Sequence, residues 1–86
     1  MPEHIHTFST AVTDAWGVRY RVRVEGERNR LATWDGWLVF EPELGAGPTL
    51  RTGRETTQPE RDDLVYWASG LEPVYLEGAI GRARGG

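Results

Sequence analysis

The sequence predicts an α+β domain of two layers: an antiparallel meander of three or four strands over about residues 5–53, then two C-terminal helices packed on one face of it. Three observations predict it. Residues 18–24 alternate valine or tyrosine with arginine at period two, the pattern of a half-buried strand. From Glu55 onward the apolar residues recur at spacings of three and four instead. The chain has 86 residues, the size of one small domain, read as 1–86.

Taken in order, Ile5 to Thr13 is rich in β-branched and aromatic residues, and Phe8, Thr10 and Val12 are expected on one face. Asp14-Ala15-Trp16-Gly17 reads as a tight turn. It joins the first segment to Val18–Val24, where Val18, Tyr20, Val22 and Val24 point one way and Arg19, Arg21 and Arg23 the other. Glu25 to Arg30 reads as a polar loop. Trp34–Glu41 is the next strand, apolar on both parities through Trp37, Leu38, Val39 and Phe40, and Pro42 ends it. Thr49–Thr52, with Leu50 as its one large apolar residue, is expected to form an edge strand.

Helices are expected over about 58–69 and 73–83. Thr57 through Glu60 has capping-box spacing, and Asp62 and Asp63 suit the positive end of a helix dipole. Leu64, Trp67, Ala68 and Leu71 form the first apolar stripe, with Trp67 expected in the core against Val22. Gly70 stops that helix, and Pro73 suits the first position of the second. Leu76, Ala79, Ile80 and Ala83 form its stripe, with Gly78 and Gly81 read as points of close approach to the sheet. Residues 84–86 are expected to fray.

Composition removes several classes of chemistry. Without cysteine there is no disulfide framework, thiol nucleophile or cysteine-based zinc site. All ten basic residues are arginine, which removes Schiff-base chemistry and a P-loop lysine. The net charge of −3 runs against a dedicated nucleic-acid binder. No apolar run approaches the roughly 20 residues that a bilayer span requires, and no signal-peptide plan opens the chain. A bacterial-type cytoplasm is the expected setting.

Candidate chemical groups have plain structural readings. His4 and His6, on one face of a strand, lack a third metal ligand. Ser9 and Ser69 have no nucleophile-elbow context. The acidic pairs Glu25/Glu27, Glu41/Glu43 and Asp62/Asp63 suit solvated loops and a helix start. No cofactor, metal or catalytic residue is assigned.

The informative feature is the arginine row. On the face away from the helices, Arg19, Arg21 and Arg23 adjoin either Trp37 and Val39 or Leu38 and Phe40, because the third strand is apolar on both sides. Arginine and tryptophan are the residues enriched at interface hot spots. Arg19, Arg21, Arg23, Trp37 and Val39 are therefore the candidate interface or ligand-binding residues. The expected function is a small non-enzymatic protein-interaction module that associates with itself as a homodimer. An unidentified protein partner is a further candidate. The alternative is nucleic-acid binding through the same arginine face and its aromatic neighbours. The other face could instead be merely solvated, its arginine stems lying over apolar groups and pairing with glutamates.

Overall fold

The computed structural model describes residues 1–45 and 47–85. In chain order the elements are β1 (Glu3–Thr7), β2 (Val12–Thr13), β3 (Arg19–Arg28), β4 (Trp34–Pro42), β5 (Leu50–Arg51), β6 (Thr56–Gln58), α1 (Arg61–Ser69), α2 (Pro73–Ile80) and β7 (Arg84–Gly85). All pairings are antiparallel. The long hairpin β3–β4 is the spine. β1 and β2 pair one side of it, β5 and β6 the other, and β7 lies outside β5. The antiparallel, two-layer α+β architecture is as expected, but the sheet has seven strands among the described residues rather than three or four, and the last of them follows the helices. No helix among the described residues is long and apolar enough to cross a membrane.

The register Val22↔Phe40 and Val24↔Leu38 sets the inner face. Tyr20, Val22, Val24, Leu38 and Phe40 form its core with Leu64, Ala68, Leu76 and Ala79 of the helices. Both stripes have the expected phase, but Trp67 does not enter the core. It is half-buried and meets Tyr75 edge-on with ring centroids 6.1 Å apart, while Leu64 and Ala68 take the buried positions.

Two glycines decide how closely α1 approaches. Gly26 and Gly36 stand opposite each other on β3 and β4. A Cβ on Gly26 would lie 2.5 Å from Leu64 Cδ2 and 2.9 Å from the Asp35 carbonyl oxygen, and one on Gly36 would lie 2.6 Å from Leu64 Cδ1. The pair makes a seat that Leu64 fills. Gly78 and Gly81, read from the sequence as the points of approach, are exposed.

Several boundaries differ from the sequence reading, each for a local reason. The first strand breaks after Thr7, so Phe8, Thr10 and Val12 do not share one face: Val12 is buried, Phe8 half-buried and Thr10 exposed. A register shift between His4 and His6 pairs His4 with Glu25 and His6 with Val24, which sends the two imidazoles to opposite faces. Residues 25–28 continue β3 rather than looping, since Gly26 fits the crowded inner face and Glu25 and Glu27 the outer one.

The later segments also shift. Thr56–Gln58 joins the sheet as β6, so α1 starts three residues later than the Thr57 spacing suggests. Glu60 is its N-cap, and the Glu60 N–H donates to Asp63 Oδ2 at 3.1 Å. β5 is not an edge strand, because Arg84 and Gly85, expected to fray, pair with it as β7. Gly86 lies outside the described residues.

Candidate functional site

The β3–β4 register places all five candidate residues on one face. Arg19, Arg21 and Arg23 alternate with the core column of β3, Arg23 pairs with Val39, and Glu25 pairs with Trp37. Trp37 and Val39, rather than Leu38 and Phe40, therefore adjoin the arginine row.

Much of that face is satisfied from within the chain. Arg23 donates from Nε to Glu25 at 3.0 Å and from a terminal nitrogen to Glu41. Burial disfavours its charge, but bonding to Glu25 and then Glu41 outweighs this and holds the guanidinium above its ordinary pKa. Arg19 pairs with Glu43, Nε to Oε1 at 3.2 Å. Val39 is 0% exposed although it points away from the helices. Its cross-strand neighbours on either side are Arg23 and Arg51, and its same-face strand neighbours are Trp37 and Glu41. Long arginine stems and an indole at these positions are the side chains placed to cover it. Arg21 is exposed and Trp37 half-buried.

Exposed apolar side chains lie in several places, among them Leu31 in the β3–β4 turn and Tyr66 and Val74 on the helices, and one group stands at the opposite end of the sheet. Trp16 is 88% exposed, Leu44 95% and Val18 37%. Val18 and Leu44 sit in the segments that run just past the paired ends of β3 and β4. An open groove there is lined by Gly17, Val18, Arg19, Pro42, Glu43 and Leu44. The turn carrying Trp16 is tightly held. Asp14 Oδ1 accepts the N–H groups of Trp16 and Val18, both at 2.9 Å, and the Asp14 N–H donates to the Val18 carbonyl at 2.9 Å. Gly17 supplies the left-handed residue, φ 84°. Tyr20 donates to Asp14 Oδ2 at 3.4 Å; burial, then the nearby carboxylate, raises its pKa. The result is a large aromatic held out on a rigid support.

Sequence reasoning missed Trp16 and Leu44 as surface features. One signal was present: Trp16 stands inside a four-residue turn, where a side chain has no sheet face to enter. Arg19 alone belongs both to the expected row and to this groove.

The titratable cluster of Glu55, Tyr75 and Arg82 serves the fold. The Glu55 side chain is 10% exposed and receives Tyr75 Oη at 2.5 Å and Arg82 at 2.7 Å. Burial pushes its carboxyl up, but bonds from Arg82 and Tyr75 outweigh that and hold it below the usual range. Burial, then the bond to Glu55, pushes the Tyr75 hydroxyl up to about 12. These contacts tie the segment after β5 to α2. Comparison with protein-family models, curated proteins and solved structures finds no match to this chain.

Proposed function

We propose that this chain is a small non-enzymatic protein-interaction module that associates with itself. The single observation that carries the reading is Trp16, 88% exposed on a turn locked by Asp14 and next in sequence to an open apolar groove. The backbone of the turn is already fixed and an indole has only two side-chain torsions to order on binding, and tryptophan and arginine dominate interface hot spots. A projection and a groove side by side on one molecule suit a two-fold arrangement, in which each copy's Trp16 enters the other's groove. The neighbouring Arg19–Glu43 pair then meets its own counterpart with opposite signs available on both sides. The nucleic-acid alternative finds less support, because Arg19 and Arg23 are already bonded to glutamates. A cytoplasmic setting accords with this reading.

Sedimentation tests it. A homodimer is expected at micromolar concentration, with Trp16→Ala shifting it to monomer while the circular dichroism stays unchanged. Arg21→Glu is expected to weaken the dimer more mildly through its charge on the adjoining face. A wild-type chain that sediments as a strict monomer at high concentration removes the self-association.

A further inference from the structure

One row of the sheet, crossing β3, β4, β5 and β7 at a single register, reads Arg23, Val39, Arg51 and Arg84. Among the described residues, Arg19, Arg23, Arg61 and Arg82 each bond a carboxylate. Arg51 and Arg84 bond no carboxylate of the described residues, yet they are direct cross-strand partners and both exposed. Directly opposed side chains stand with Cβ atoms about 4.5–5.5 Å apart, and like charges so placed repel.

The placement is held by the antiparallel β5–β7 pairing, in which Leu50 stands opposite Gly85 and Arg51 opposite Arg84. The terminal guanidinium nitrogen Nη1 of Arg84 has only a backbone acceptor, the Ala83 carbonyl at 3.0 Å.

We propose that Arg51 and Arg84 form a binding site for a phosphate group. Each guanidinium is a planar fork that bonds two oxygens of one group. Two adjacent forks call for a ligand with at least three strong acceptor oxygens and close to two negative charges, which a phosphate monoester or inorganic phosphate has and a single carboxylate has not. Bound phosphate replaces the repulsion across β5–β7 with bonds to both strands. The site is distinct from the Trp16 groove and does not depend on self-association.

The test is an amide and arginine side-chain NMR titration of the full chain with inorganic phosphate, chloride balancing the ionic strength. Saturable shifts confined to Leu50, Arg51, Arg84 and Gly85 are expected. Arg51→Gln and Arg84→Gln should each weaken binding by about tenfold or more, while the exposed Arg54→Gln leaves it unchanged. A phosphoserine peptide run in parallel distinguishes the sources. Tighter binding by the peptide assigns the site to a phosphorylated protein, and equal binding assigns it to the free ion. Shifts that drift without saturating, or that persist in both Arg51→Gln and Arg84→Gln while their spectra stay dispersed, overturn the proposal. So does equal loss in Arg54→Gln.

Discussion

The two ends of the sheet are built oppositely. Near the β3–β4 turn the inner face carries Gly26 and Gly36, and Leu64 of α1 descends into the space their missing side chains leave. Near the β2–β3 turn the corresponding positions carry Val18 and Leu44, and no described residue covers Leu44, which is 95% exposed. Helix length is part of the reason. β3 has ten residues and runs about 33 Å, whereas α1, with nine, and α2, with eight, are each about 12–14 Å long. A layer of two short helices covers the inner face where the glycines admit it and leaves Val18 and Leu44 exposed at the other end. The sealed end buries Leu64, and on the proposed function the open end is where copies would meet.

The largest effect expected is at the sealed end. Leu64 is fully buried, so Leu64→Ala should cost about 2–5 kcal/mol by leaving its seat empty. Filling the seat instead is also costly. Gly26→Ala should destabilise by about 1–3 kcal/mol through overpacking. Gly36→Ala should cost less, because its new methyl meets the ends of Leu64 and Thr56 rather than a backbone oxygen. Urea melts of the three variants give the order directly. Equal stability of Gly26→Ala and wild type would mean that α1 is not seated on the glycine pair.

That seat was not legible in the sequence, whereas the faces were. The period-two run of Val18–Val24 marked one column for the core and one for the arginines, and the helical stripes pointed Leu64, Ala68, Leu76 and Ala79 inward. Both are local patterns that survive any choice of partner strand. The opposition of Gly26 to Gly36, the pairing of Val39 with Arg23, and the meeting of Arg51 with Arg84 depend on register between segments far apart in the chain. Register is a property of two strands and is written in neither alone. The start of α1 was ambiguous for a different reason. Thr57–Glu60 and Glu60–Asp63 both have capping-box spacing, and the pairing of Thr56–Gln58 with β4 selects the second.

A middle-sized effect tests what holds α2 along the sheet between the two ends. The folded-state pKa of Glu55 lies below its unfolded value, so its contribution is present above the unfolded pKa and is lost as pH falls through the folded one. Glu55→Gln should cost about 1–2 kcal/mol at neutral pH and flatten the acid limb of the stability curve. Tyr75 has the opposite sign. Its pKa is raised to about 12, so its contribution is complete below its unfolded value near 10 and is lost as pH rises through 12. Tyr75→Phe should therefore flatten the alkaline limb. Unaltered limbs in both variants would remove this network as the tie.

A smaller gain is expected in the turn beside the sealed end. Ala32 adopts φ 63°, a left-handed conformation that suits glycine. Asn29 supports that turn by accepting the Leu31 and Thr33 N–H groups at 2.9 and 3.1 Å, so the conformation is imposed from outside Ala32. Ala32→Gly should stabilise by about 0.5–1 kcal/mol, the relief of Cβ crowding exceeding the entropy that glycine adds to the unfolded chain. A destabilised Ala32→Gly protein in thermal melts would contradict it.

The smallest effect on the fold itself is expected at the open end, and it sharpens the contrast most. Trp16 buries little surface within the chain, and Asp14 holds its turn through backbone N–H groups that persist whatever side chain stands at position 16. Trp16→Ala should therefore change monomer stability by no more than about 0.5 kcal/mol, against several for Leu64→Ala. Association separates the two ends a second way. If copies meet through Trp16, wild-type Tm rises with protein concentration by mass action, and that of Trp16→Ala does not. Extrapolated to low concentration, the two melting temperatures should converge. A persistent gap at low concentration would show that the indole belongs to the fold, and the open end would then be a second sealed one.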